Sequence, residues 1–164
     1  MGPPGSGKST LARRLGARMG LPVFHLDQAF HRPGWQPVSD EQFRAAVDRI
    51  AAGAAWIIDG NYSGTIGSRF ATAEVVVYLD MPTWLTMLRI FKRILGSYGR
   101  VRPDAAPGCP ERLNGPFLLF AWNWNRLRRT RILALLETYP GRTLIFRGPA
   151  EQRRFNDEAF RARS

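Results

Sequence analysis

Eight residues near the start of the chain, Gly2 through Ser9, match the pattern G-x-x-x-x-G-K-S at every specified position. The chemistry behind that spacing is anion binding. Glycines at 2, 5 and 7 let the backbone of Gly2, Pro3, Pro4, Gly5, Ser6 and Gly7 curl, so that successive N–H groups point inward at phosphate oxygens. Lys8 is then expected to set its ammonium against the β- and γ-phosphates, and the Ser9 hydroxyl to ligate Mg²⁺. Thr10 opens the predicted helix, whose N-terminus adds a favourable dipole for anions. The implied ligands are ATP, or another nucleoside triphosphate, and Mg²⁺.

Such a loop normally hangs from the C-terminal end of a buried parallel strand, yet only Met1 precedes Gly2. The expectation is that the first, central strand is missing from this chain. Its neighbours would then present unpaired N–H and C=O groups to a groove. Downstream, short apolar runs alternate with helical segments, the signature of a parallel α/β sheet sandwiched by helices. Strands are predicted at Pro22–Leu26, ending at Asp27, at Trp56–Ile58 running into Asp59, at Val75–Leu79 (fully buried), and at Thr143–Phe146. Ser39-Asp-Glu-Gln42 is a capping box that opens a helix to about Ala52. One helix is predicted from Asp80 to about Leu95, a second over roughly Phe117–Glu137, and a short terminal one carries Phe155 and Phe160. Residues 31–37 read as loop, and the glycines and prolines of 96–116 make that stretch a lid-like insertion.

At 164 residues the chain reads as a single domain over 1–164, and 45% apolar with 23% charged residues are globular values. No apolar run approaches the ~20 residues of a membrane span, so no membrane partner is expected and the cytoplasm is the expected location. One cysteine, Cys109, allows no internal disulfide, and no Cys/His cluster suggests zinc. The formal charge is +11, and residues 83–164 carry nearly all of it, with sixteen Lys/Arg against six Asp/Glu. A basic half could embrace the phosphates of two substrates or contact nucleic acid. Of the basic residues 22 are arginine, which suits bidentate phosphate contacts but also follows from a plain Arg-for-Lys bias.

Ligands of such sheets gather beyond the carboxyl ends of the strands. Asp27, Asp59 and Asp80 fall there. Phosphoryl transfer needs one carboxylate to hold Mg²⁺, through water, and another to orient or deprotonate the acceptor hydroxyl. Asp27 and Asp59 are the candidates, with Ser9 and Asp59 at the metal; the alternative for each Asp is helix capping. Asp80, before Met81-Pro82-Thr83, reads as a cap. Arg89, Arg93, Arg100, Arg102 and Arg129 are the arginines expected to neutralise the transferring group from a mobile lid, while the others read as a solvated face. Trp35 could line an acceptor pocket, Trp122 and Trp124 read as core, and His25 and His31 read as satisfied or surface histidines.

The ordered series GPPGSGKSTLARRL (2–15), LPVFHLD (21–27), RPGW (32–35), WIIDGNYSGT (56–65), VVVYLDMP (75–82) and RVRPDAAPGCPERL (100–113) resembles the FlaR-like DNA topology modulation proteins, small P-loop kinases related to adenylate kinase. The resemblance implies a nucleotide-kinase-like fold with ATP at residues 2–10 and an acceptor between Asp27 and Asp59. By similarity to adenylate kinase it sets Asp59-Gly60 beside Mg²⁺ and the acceptor phosphate, and Arg147 and Gly148 in the loop by the adenine. The leading expectation is therefore an ATP-dependent kinase of a small acceptor, a nucleoside or nucleotide. The alternatives are an ATP-binding regulator that acts on DNA topology through nucleic-acid contact, and an NTPase without acceptor specificity. No helix-turn-helix or other reader motif supports nucleic-acid contact. Arg69 is open between a phosphate and a carboxylate, and the sequence leaves the oligomeric state open.

Overall fold

The computed structural model describes residues 1–161, with side chains to 158. It is α/β, with short parallel sheets flanked by helices. Helix α1 (Lys8–Met19) starts two residues earlier than the sequence suggests, behind Gly7 at φ 93°, and stops at Gly20, whose αL backbone donates to Gly16 O. Strand β1 (Val23–His25) ends sooner than expected, and Leu26–Phe30 turn into α2. Asp27 therefore lies in a helical first turn, where a carboxylate suits the dipole, and not at the end of a strand. Residues expected as loop form a small hairpin of β2 (His31–Arg32) and β3 (Gln36–Pro37). Ser39 Oγ accepts from Gln42 N at 3.2 Å and opens α3 (Asp40–Ala51). Then come β4 (Ile57–Asp59), a 3₁₀ turn at Ser63–Thr65, α4 (Ile66–Thr72) and β5 (Val75–Leu79).

Helix α5 (Thr83–Ser97) leads into the breaker-rich insertion, which two isolated bridges, Tyr98 with Glu111 and Val101 with Pro110, fold back on itself. The helix expected over 117–137 begins at Gly115. It is interrupted, with α6 (Gly115–Trp124) passing through a π-helical turn (Asn125–Arg129) into α7 (Thr130–Glu137). Strand β6 (Arg142–Phe146) and α8 (Pro149–Arg161) complete the chain as described. Val76, Tyr78, Trp124, Ile132 and Leu136 form the core under α6 and α7, while Leu11, Leu79, Met81 and Phe146 join α1 to the second sheet. Phe155 stacks on Phe146 at 4.9 Å; the side chain of Phe160 lies outside the described residues. No helix of the described residues is long and apolar enough to cross a membrane.

The sheet is split. β1 pairs with β4 in parallel, with His25 opposite Asp59, and β5 pairs in parallel with β6. Between β4 and β5 runs a groove of about 380 Å³, lined by Leu11, Leu15, Ile57, Phe70 and Val77 among others. One residue enters it: the Met1 amine donates to Val77 O at 2.6 Å, and Leu79 N donates to Met1 O at 2.9 Å. That is one rung of a parallel ladder. The open edge also explains why β5 is not fully buried, with Val75 44% exposed.

Burial pushes the Met1 amine down from 8.0 to about 5, against the attraction of Asp59. Between pH 8 and 5 the unfolded chain holds a proton that the folded chain releases, so stability falls as pH falls, by roughly 3–4 kcal/mol in all. Fusing a five-residue extended apolar segment to Met1 replaces the amine by an amide and offers β4 and β5 a partner. The variant is expected to melt several degrees higher and to lose that pH dependence. An unchanged melting curve at both pH 8 and pH 5 would show that the groove does not accept a strand.

Candidate functional site

The glycine-rich loop is fixed by its neighbours. Gly5 has φ 77°, and a Cβ there would lie 2.5 Å from Thr86 O, so α5 packs directly on the loop backbone. Arg89 Nη1 donates to Ser6 O at 2.9 Å. Asn61 brackets Gly2, accepting from its N–H at 3.0 Å and donating to its carbonyl at 2.8 Å, which ties the loop to the end of β4. No side chain caps α1 and its first turn contains no acid. The N–H groups of that turn are left for an anion.

The carboxylate beside them is Asp59, buried at the end of β4. Its Oδ2 accepts from His25 Nδ1 at 2.9 Å, because parallel register sets the two residues opposite each other. Burial opposes its ionisation, but the His25 hydrogen bond, the Lys8 charge and the Ser9 hydroxyl hold it down at about 2. Asp59 Oδ1 is buried with no partner, as is Ser6 Oγ. An unpartnered carboxylate oxygen next to Ser9 fits a hydrated Mg²⁺, which takes one or two protein ligands and fills its octahedron with water and phosphate. Among the described residues no group of three or more acidic, His or Cys side chains could hold a metal without such help.

Gly60 follows at φ 150°, and a Cβ there would lie 2.7 Å from Leu26 Cβ. Tyr62, at φ 28°, aims its hydroxyl at Asp27 Oδ1, 2.6 Å away; burial and the Asp27 charge push its ionisation upward. Arg69 holds this segment. The residue is 4% exposed, and its guanidinium donates to the carbonyls of Gly60 (3.1 Å), Asn61 (2.6 Å), Tyr62 (2.9 Å) and Thr65 (3.2 Å). Its acceptors are main-chain carbonyls rather than a carboxylate, and burial lowers it to about 10.

Lys8, Ser9, Asp27, Asp59, Arg93 and Arg102 line one cavity of about 520 Å³. The other sequence candidates are arranged differently. Arg93 and Arg102 are already paired, with Arg93 Nη2 3.0 Å from Glu111 Oε1, Arg102 Nη1 2.6 Å from Asp104, and Arg102 Nε 2.6 Å from Glu111 Oε2 at an angle too bent for a hydrogen bond. Arg89 serves the loop backbone. Arg129 is turned away in a bidentate pair with Asp80 (2.8 and 2.7 Å), so Asp80 is an ion-pair partner and not a helix cap. Arg100 is exposed and does not line the cavity. Arg147 is exposed too, its N–H bonded to Glu151, and Gly148 bends the chain into α8, whose Gln152 approaches Gly7. Trp124 is buried, but Trp122, expected in the core, is 60% exposed.

The far wall is the insertion docked on the β2–β3 hairpin. Gly34 N donates to Gly108 O at 2.9 Å, Trp35 Nε1 to Pro110 O at 3.0 Å, and the Cys109 thiol donates to Arg32 O while accepting from Trp35 N. His31 and Trp35 meet edge to face there, with Arg112 6.0 Å over the Trp35 ring. Arg128 and Arg131 stand exposed at the opposite mouth.

No family model matches the chain. Threonine synthase-like 1 of Macaca fascicularis is 31% identical over 97 residues, 50% of this chain and 13% of that protein. The human and mouse proteins of that name match at 30% and 31% over the same shares. The chain thus spans about 13% of the length of these curated relatives, too little to carry their activity over.

Sequence reasoning missed His25, Asn61, Tyr62 and Arg69 as parts of the site. A signal existed for His25: both parallel strands end on a polar residue after apolar ones, VFH and IID. Removing the guanidinium by Arg69→Met takes a donor from four carbonyls, of which Tyr62 O keeps Thr65 N and Thr65 O keeps Ser68 Oγ, and is expected to lower stability by roughly 3 kcal/mol, read by urea denaturation. His25→Ala is expected to raise the Asp59 carboxyl by about one unit in a ¹³C NMR titration, whereas His25→Asn, which keeps a donor near Nδ1, restores it. The stability Asp59 contributes is present above 3.8 and lost as pH falls toward 2, so in His25→Ala the loss still begins near 3.8 but is smaller and is complete at a higher pH.

Proposed function

We propose that this protein is an ATP-dependent phosphotransferase with a P-loop, nucleotide-kinase-like fold, similar to the FlaR-like proteins, that acts on a small acceptor, a nucleoside or nucleotide. One observation carries the reading: an uncapped helix N-terminus, Lys8 and the Asp59–His25 pair open on the same cavity as a second carboxylate, Asp27. The parallel pairing agrees with it, since β1 with β4 and β5 with β6 set their carboxyl ends toward the glycine-rich loop.

Gly2–Thr10 would hold the triphosphate, with the Lys8 ammonium against its terminal oxygens. Ser9 and the free Asp59 oxygen would hold Mg²⁺, which when bound supplies charge neutralisation at the phosphates. Asp27 keeps one oxygen on Tyr62, and its other oxygen takes the proton of an acceptor hydroxyl. His31, Trp35 and Arg112 offer a planar acceptor a stacking wall, while the exposed Arg128 and Arg131 draw an anionic one to the mouth. The insertion and the hairpin keep water from the reacting atoms. The loop of Arg147 and Gly148, next to Gly7 through α8, is the adenine side of the reading.

Purified protein with Mg·ATP and a panel of nucleosides and nucleotides is expected to convert one acceptor. Lys8→Ala is expected to reduce turnover at least 10³-fold and to abolish the thermal shift that Mg·ATP gives the wild type. No Mg·ATP shift in the wild type overturns the nucleotide site. Hydrolysis at a rate no acceptor changes overturns the kinase and leaves an NTPase.

A further inference from the structure

Helix α5 is apolar on two sides. Met87, Ile90 and Ile94 pack on Phe117, Leu118 and Ala121 of α6. Trp84, Leu88, Phe91 and Leu95 have no such cover and are 66%, 45%, 45% and 83% exposed. Their spacing of four, three and four puts them in one strip about 60° wide, roughly 90° round the helix from the seam with α6. The two helices run antiparallel, because Asn125 at the end of α6 donates to Met81 O and Thr83 Oγ1 at the start of α5. By the same helical arithmetic Trp122 falls on the strip's side of α6, and Arg93 and Phe120 fall on the other, where they line the cavity. The strip and Trp122 thus form one face that looks away from the site.

We infer that this face is a two-fold interface with a second copy of this chain, α5 against α5 in antiparallel order. The spacing is the a/d pattern that lets helices interlock, and about a two-fold axis near Leu88 and Phe91 it is complementary to itself, with Trp84 against the partner's Leu95. The exposed side chains and the rim between them amount to roughly 600–800 Å² per copy, which is what a stable dimer buries on each side and more than a monomer usually leaves bare. Charge allows the pairing. Residues 115–124 contain no charged side chain, α5 contains no acid, Arg89 is turned to Ser6, Arg93 to Glu111, and Lys92 alone borders the strip on α5. In a chain of net charge +11 this is the face on which two copies meet without burying like charges. An anionic bilayer would be matched by a basic ring around the apolar residues, and α5 and α6 supply one lysine.

Sedimentation velocity of the full chain between 1 and 100 µM tests this. The expected mass is about 37 kDa, twice the 18.5 kDa of one chain, with an association that tightens as salt is raised. The double substitution Leu88→Glu with Phe91→Glu, at exposed positions that leave circular dichroism and the melting point unchanged, is expected to weaken association at least 100-fold. A wild type that stays monomeric at 100 µM overturns the inference. So does a double variant that still dimerises, and so does a monomer that co-sediments through these residues with phosphatidylglycerol vesicles.

Discussion

A buried cation without a counter-ion organises this molecule. Arg69, on α4, spends its guanidinium on four main-chain carbonyls of residues 60–65. Those carbonyls belong to a bend in which Gly60 and Tyr62 both have positive φ, and only the Tyr62 carbonyl also accepts a main-chain N–H of the 3₁₀ turn, that of Thr65. Everything chemically interesting hangs from that bend. It fixes Asn61 on the glycine-rich loop, turns Tyr62 toward Asp27, and leaves Asp59 at the last position of β4 facing Lys8 and Ser9. A neutral side chain of similar length would fill the space and leave the bend unsupported. A lysine would reach one carbonyl at most with good geometry.

The second constraint comes from the gap in the sheet. β4 and β5 are not paired with each other, and Met1 adds a single rung to β5 in the gap. The glycine-rich loop is held by Arg89 and Asn61 and by the close approach of the α5 backbone at Thr86. The core is divided in the same way. One cluster lies under α6 and α7 and another between α1 and Met81, while a third, around Leu26, Phe43 and Val47, belongs to the first strand pair.

Much of the scaffold was legible because its signals are local. The Gly2–Ser9 spacing, the Ser39 cap with Gln42, and the apolar run Val75–Leu79 each announce an element within a few residues. The candidate site was legible in part. Lys8 and Ser9, read from the glycine-rich motif, line one cavity with Asp27 and Asp59, read from their positions after apolar runs. The arginines were not readable, since an arginine on a helix carries no mark of whether it meets Asp80, Glu111 or a main-chain oxygen; that choice is made by tertiary packing. Asp80 shows the same blindness from the other side, a helix-start sequence whose carboxylate is claimed from 49 residues away. Trp122 went astray because a tryptophan in an apolar helix reads as core, and only the neighbouring helix decides which flank is covered.

Cys109 sits where the insertion meets the hairpin, its sulfur shared between Arg32 O and Trp35 N. Gly34, Trp35 and Gln28 add further bonds along the same line. Parting the two halves there means breaking all of them together. Displacing the insertion from the hairpin would therefore strip the thiol of both its partners at once.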